Sequence, residues 1–250
     1  MLLTDPEIIR KLKIKVSDKI LDIGGSMTQH TEITIDTLVD IIRPEDSPYN
    51  PTKLTASKFV QLDITRQKLP FADKSFDVCL CTHTLEDLPN PTFVIDEMSR
   101  VARRGLIVTP SMGFDMVFTP IDYTNWLTGA RRVPGEAHHK WFYQNDGKIL
   151  KIIPKYYGIL YTPDFQITDW NGPREMEYTW QSKINYSEFS SLNMHELIDE
   201  YQRFVNENRK NIKFGTTAIF IDSPYNMVKA VVKKILKRGS GYKYRKIQRN

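Results

Sequence analysis

The chain has 250 residues, 40 % of them hydrophobic, and a formal net charge of +5. That is enough to bury one large core, or a core with an insertion, and no run approaches the roughly 20 apolar residues of a membrane span. Nine Lys or Arg and no acid occur from Lys229 onward, so the body is net acidic, which excludes it as a nucleic-acid-binding surface.

The first residues, "MLLTDPEIIRKLK", lack a signal-peptide pattern, and a cytoplasmic location is expected. Thr4 or Asp5 caps a short helix that Pro6 starts, with Ile8, Ile9 and Leu12 as its apolar stripe. "DKILDIG" is a strand with the continuous apolar run of one buried on both faces. A second short strand, Ile33 to Ile35, delivers Asp36, and "KFVQLDI" is a third, ending at Asp63. "FDVCLCT" is a fourth, in which Cys79 and Cys81 point the same way and are expected to be buried, reduced thiols. "PTFVIDEMSRVAR" is a helix starting at Pro91, and "GLIVTPS" is a fifth strand from Gly105. Strands separated by crossovers predict an α/β, Rossmann-like, mainly parallel sheet.

The crossover between the first two strands is short. Parallel strands require it to travel back about 17 Å, the length of a strand. Its eight residues, Gly25 to Glu32, would rise only about 12 Å as a helix but reach about 26 Å extended. A mostly extended crossover is therefore expected.

Beyond Ser111 the rhythm breaks into a segment rich in aromatics, Pro and Gly. "WFYQNDGKILKII" reads as a hairpin turning at Asn145-Asp146-Gly147, and "FQITDWNGPREMEYTWQSKI" as another turning at Asn171-Gly172. "LNMHELIDEYQRFVNENR" is a helix and "FGTTAIFID" a last strand. The expected organisation is a core over 1–111, an inserted acceptor-site region over 112–190, a helix and strand completing the core over 191–223, and a basic amphipathic helix and tail over 224–250.

In open parallel sheets the ligand crevice lies beyond the carboxyl ends of the strands. Strand one offers Asp22, Gly24, Gly25 and Ser26 there; strand two, Asp36; strand three, Asp63 and Ile64; strand four, Thr82 and His83, then Glu86 and Asp87. An acid ending strand two suits both hydroxyls of a ribose, and one ending strand three suits an exocyclic amine. Asp36 lies twelve residues after Gly24, against about 20 in the dinucleotide fingerprint, and no helix N-terminus is available for a pyrophosphate. A nicotinamide cofactor is disfavoured on both counts.

From about Lys19 to Ser111, and above all in "LPFADKSFDVCLCTHTLEDLPNPTFVIDEMSRVARRGLIVTPS", the sequence resembles the class I S-adenosylmethionine-dependent methyltransferases of the type 11 group. Its short crossover is similar to members encoded with cell-surface glycan genes. The resemblance implies S-adenosylmethionine as cofactor, with Asp36 on the ribose, Asp63 on the adenine amine, Gly24 to Ser26 on the methionine part, and Asp22, Ile64, Thr82 and His83 beside them. The family loop is D-x-G-x-G-x-G, whereas Ser26 and Thr28 stand here in place of its later glycines. That departure keeps open a catalytically silent interaction module as the alternative to an enzyme.

The acceptor site is expected after strand five. His138 or His139 is a candidate general base, with His83 a further catalytic candidate. Adjacent histidines on a strand face opposite ways, so one of the pair at most is expected to face the reaction. Histidine with Glu86 or Asp87 is conceivable as a metal set, but no ligand spacing fixes one and no metal site is assigned. Phe114, Phe118, Tyr123, Trp126, Trp141, Phe142 and Tyr143 suit either a carbohydrate platform, with Arg131, Arg132 and Glu136 as polar contacts, or the core of a subdomain. The expected acceptor is a small molecule or glycan hydroxyl. Val228, Val231, Val232, Ile235 and Leu236 share one face of the tail helix with lysines around the rest, the pattern of a helix lying on an anionic membrane.

Overall fold

The computed structural model describes residues 2–48, 50–120, 132–190 and 192–214. Five strands, β1 (Ile20–Ile23), β2 (Thr37–Asp40), β3 (Lys58–Gln61), β4 (Phe76–Thr82) and β5 (Ala102–Pro110), run parallel in the spatial order 3-2-1-4-5. A sixth, β11 (Glu175–Gln181), closes the β5 edge antiparallel. The order reverses beside β1, which puts a ligand crevice at the carboxyl ends of β1 and β4.

β1 is buried along its whole length because both faces of the sheet are covered. Leu21, Ile23, Cys79, Cys81 and Ile107 share one core with Val94, Ile95, Met98 and Val101 of α2 (Pro91–Val101). On the other face Ile20, Val78, Leu80, Leu106 and Val108 share a core with Ile8 and Leu12 of α1 (Asp5–Leu12) and with Ile33 and Ile35. Cys79 and Cys81 are free and buried, and burial pushes both thiols well above their usual range.

The crossover from β1 to β2 contains no helix, as expected, but it runs over 24–36 and is longer than the eight residues on which that expectation rested. Its strand, however, is not Ile33–Ile35 but Thr37–Asp40. Ile33 and Ile35 are buried as a cover on the sheet face, the place a crossover helix would otherwise take. The segment is fastened to α1 by Asp5, whose carboxylate accepts the N–H groups of Thr31 and Glu32, each at 2.8 Å, and lies 2.6 Å from the ring of His30.

A second core gathers Met112, in α3 (Met112–Asp115), with Phe118 of β6 (Phe118–Pro120), which pairs antiparallel with β7 (Arg132–Pro134). The Asn145 hairpin forms as expected, from β8 (Trp141–Asn145) and β9 (Leu150–Pro154). After α4 (Tyr157–Leu160), the second expected hairpin does not form. β10 (Ile167–Trp170) pairs with β13 (Ile212–Phe214), whereas β11 leaves for the main sheet. β12 (Tyr186–Glu188) adds to β9, and α5 (Met194–Glu207) buries Leu197, Tyr201 and Val205 in the second core. The expected division is thereby corrected: residues 175–181 complete the parallel sheet, and 194–214 belong with the second core. The rest of "FGTTAIFID" and the basic tail at 224–250 lie outside the described residues.

Candidate active site

At the carboxyl ends of β1 to β4 a cavity of about 270 Å³ is lined by Gly24, Ser26 and Met27, by Asp40, Ile41 and Ile42, by Leu62, Asp63, Ile64 and Thr65, and by His83, Thr84, Asp87 and Leu88. Of the residues expected from the sequence, Gly24, Ser26, Asp63, Ile64 and His83 therefore meet in one place.

Asp36 does not join them. It precedes β2, and its carboxylate accepts the N–H of Ile20 at 2.7 Å, at the amino end of β1. The acid at the carboxyl end of β2 is Asp40, whose Oδ2 accepts the N–H of Ser26 at 3.0 Å. The signal was present as "TLVD", an apolar run ending in an acid, but "ITID" carries the same pattern four residues earlier. Pairing with β1 decides between them.

Asp63 stands just past β3, with Oδ1 accepting from the Thr65 N–H and hydroxyl at 3.0 and 2.6 Å. Those hydrogen bonds hold its carboxyl below the usual range, so it is an ionised acceptor at neutral pH. Gly24 has φ +80°, and a Cβ there would fall 2.2 Å from Thr84 Oγ1; the loop passes too close to β4's end for any side chain. A Cβ on Gly25 would fall 2.0 Å from Asp22 Oδ2. Asp22 is 1 % exposed and its Oδ1 has no hydrogen-bond partner. Burial raises its pKa to about 6. It underpins the loop and is absent from the cavity lining. Thr82 ends β4 behind the cavity, its carbonyl accepting the Thr84 hydroxyl at 3.1 Å.

His83 sits in the left-handed region at φ 51°. Its Nε2 lies 2.6 Å from Glu175 Oε1, and its Nδ1 lies 3.6 Å from Glu86 Oε1. The hydrogen bonds to Glu175 and Glu86 raise its pKa to about 9. With its charged form favoured in this way, His83 suits the role of a cationic hydrogen-bond donor in the wall better than that of a general base. Glu175 lies 92 residues away and carries no local sequence signal.

Asp87 is the link to the second set of residues. His138 Nε2 and His139 Nε2 approach its Oδ1 at 3.6 and 4.0 Å. The two rings meet edge to face, with centroids 4.6 Å apart, because residues 136–140 form a turn and not a strand. Both rings thus approach Asp87, although neither lines the cavity itself. His139 is buried, with Nδ1 3.0 Å from Asp115 Oδ1. Burial lowers its pKa, but Asp115, Glu86 and Asp87 together outweigh it and the net direction is upward. Asp115 also accepts from Lys155 Nζ at 2.9 Å and from the Glu136 N–H at 3.0 Å.

This second set is bound firmly to the first. Lys140 N donates to the Glu86 carbonyl at 2.7 Å, Lys140 Nζ to the Asp87 carbonyl at 2.5 Å, Trp141 Nε1 to the Leu88 carbonyl at 2.8 Å and Tyr143 OH to the Leu85 carbonyl at 3.0 Å. The aromatic residues thereby find structural work. Phe118, Phe142 and Tyr143 are buried in the cores and Trp141 packs against one. Phe114 remains partly exposed beneath the Arg174 guanidinium, while Tyr123, Trp126 and Arg131 lie outside the described residues. A platform built from Phe118, Phe142 and Tyr143 is excluded by their burial.

Comparison with known proteins bears on this cavity directly. A family model described as a methyltransferase domain matches residues 26–109, the segment that supplies most of its lining. Residues 26–109 are thus similar to a methyltransferase domain. S-adenosylmethionine is the cofactor that this family uses. Solved structures similar to the chain include a SAM-dependent methyltransferase from Methanosarcina mazei, at 22 % identity over 45 % of this chain and 61 % of that one, TM-score 0.35. A SAM-dependent methyltransferase from Aquifex aeolicus is 22 % identical over 44 % of this chain and 65 % of that one, TM-score 0.32. An S-adenosylmethionine-dependent methyltransferase from Mesorhizobium loti is 13 % identical over 55 % and 66 %, TM-score 0.34. The chain thus spans less than two thirds of the length of each. No curated protein matches the sequence.

The cavity fits that cofactor chemically. Three carboxylates, Asp40, Asp63 and Asp87, line a space walled by Ile41, Ile42, Leu62, Ile64 and Leu88, and among the described residues no Lys or Arg lines it. Such a set suits a nucleoside with hydroxyl and amine donors and no phosphate.

Proposed function

We propose that the methyltransferase domain moves a methyl group from S-adenosylmethionine to a hydroxyl of a sugar, glycan or related small acceptor. The observation that carries the donor half is the convergence of Gly24, Ser26, Asp40 and Asp63 on one phosphate-unfriendly cavity. In this reading Asp40 accepts from the ribose hydroxyls and Asp63 from the adenine amine, while the Gly24–Ser26 backbone faces the methionine part. The cofactor supplies a methyl group on a positively charged sulfur. This chain's task is to exclude water, orient the acceptor and help remove the hydroxyl proton. Asp87, His138 and His139 at the cavity's edge offer the lone pairs for that last task, and their polarity favours a hydroxylated acceptor over an apolar one. The sequence pattern at 224–250 further supports a cytoplasmic protein resting that helix on anionic membrane, which would suit an acceptor carried on lipid.

Titration calorimetry with S-adenosylhomocysteine tests the donor half. Wild-type protein should bind in the micromolar range, Asp40→Ala should lose tenfold or more, and Asp36→Ala should bind as wild type. Folded wild-type protein that binds neither S-adenosylhomocysteine nor S-adenosylmethionine would refute the reading and favour a silent interaction module.

A further inference from the structure

Asp87 Oδ1 is sealed from solvent and has no hydrogen-bond partner, although 40 % of the side chain is exposed. The two groups it faces are both imidazole Nε2 atoms, at 3.6 and 4.0 Å. The three ligand atoms all lie within 4.8 Å of one another. A buried carboxylate oxygen left without a hydrogen-bond donor is costly, and among the described residues the two imidazoles are the groups placed to offset it.

His139 Nδ1 lies 3.0 Å from Asp115, whose own position is fixed by Lys155 and by the Glu136 N–H. The ring is thereby held with its Nε2 toward Asp87. Two imidazole nitrogens and one carboxylate oxygen thus converge on one point, a set that ring protons or a bound cation would balance. A carboxylate behind the far nitrogen of an imidazole is also the arrangement that orients metal-ligating histidines. The spacing is somewhat wider than a loaded site: ligand atoms each about 2.1 Å from an ion stand about 3.0 Å apart at a right angle and about 4.2 Å apart when opposed, against separations of up to 4.8 Å here. Exposed His138 needs only a small swing to complete the set.

We propose that Asp87, His138 and His139 bind a divalent first-row transition ion at the edge of the donor cavity. Two imidazoles and one carboxylate select such an ion over magnesium or calcium, which prefer oxygen alone. Asp87 also lines the donor cavity, so an ion with these three ligands would stand beside it with coordination positions left for others. Those positions are where a pair of neighbouring oxygens on a polyhydroxylated acceptor would chelate, and the ion lowers the pKa of one hydroxyl, whose proton leaves to solvent water. The histidines are then ligands and not bases. This role in the reaction rests on the methyltransferase reading; the binding of the ion does not.

The test uses the full chain, stripped with a chelator and titrated with Co2+, whose visible absorption reports nitrogen ligation, and with Mn2+ followed by electron paramagnetic resonance. One ion per chain should bind in the micromolar range. His138→Ala, an exposed change that leaves the core intact, should weaken binding at least tenfold, and His139→Ala should abolish it. Absence of binding up to millimolar metal overturns the proposal, as does binding that both variants leave unchanged, which marks an adventitious ion only. S-adenosylhomocysteine titrations on the same samples report the donor cavity separately, so failure of the metal site and failure of the methyltransferase reading are read apart. His138→Ala should leave that second titration unaltered.

Discussion

The carboxylate of Asp40 accepts the backbone N–H of Ser26 at 3.0 Å. The acid at the end of β2 and the loop after β1 are consequently one unit, and Ser26 needs no glycine to reach it. Where the family pattern has its second glycine, the chain here has a buried serine whose amide is already bonded to Asp40.

A substitution separates the two tasks of Asp40. Asn at position 40 keeps an oxygen for the Ser26 amide but removes the charge and half the capacity to accept from a diol. Its NH2 replaces the oxygen that accepts the Ile42 N–H at 3.2 Å, so Asp40→Asn should fold with a modest loss of stability while binding S-adenosylhomocysteine several-fold more weakly. Asp40→Ala should be worse in both respects. Urea unfolding and calorimetry on the same three proteins check this; equal affinities for wild type and Asn would remove Asp40 from the ribose.

How much of this was readable beforehand depends on the range over which each decision is made. The parallel sheet, α2 and the Asn145 hairpin follow from local periodicity, and the structure agrees on each; the crossover is extended as expected, but over a longer span than the reach argument assumed. The acid of β2 was misplaced because "ITID" and "TLVD" are both apolar runs ending in aspartate, and alternation reports burial without saying whether it comes from pairing in a sheet or from covering one. Ile33 and Ile35 cover; Thr37 to Val39 pair with β1. The second hairpin failed for a similar reason, since β11 finds its partner in β5, about 70 residues earlier. The groups facing His83 and His139, namely Glu175 and Asp115, are brought in from distant chain positions, and no spacing rule could reveal them.

His83 supplies a pH test. Its pKa is about 9 when folded, because Glu175 and Glu86 bond its charged form, against about 6.5 when unfolded. Between these values the folded state binds more protons, so stability falls as pH rises. The contribution is complete below about pH 6.5 and is lost as pH passes through 9; with 44 % of the side chain exposed, solvent screening keeps it modest. His83→Gln should accordingly be less stable than wild type at pH 6, with the difference shrinking toward zero by about pH 10. Urea midpoints at pH 6, 7.5 and 9.5 measure it. A difference constant with pH would mean that the histidine contributes packing and not charge.

Asp22 runs in the opposite sense from an ordinary acid. Burial raises its folded pKa from 3.8 to about 6, and its Oδ1 finds no donor. Between pH 4 and 6 the folded state again holds the extra proton, so stability is lost as pH rises through that window and the ionised carboxylate remains a cost above it. The shift corresponds to a cost on the order of 3 kcal/mol at neutral pH. Asp22→Asn keeps the shape against Gly25 and removes the charge, so at pH 7.5 it should unfold at a higher urea concentration than wild type. The two proteins should converge as pH falls below about 4, where Asp22 is protonated in both states. An Asn variant less stable than wild type at pH 7.5 would show that the buried charge is held by its surroundings, His30 foremost, more strongly than burial opposes it, and that the loop before the donor cavity rests on an ion pair and not on a strained acid.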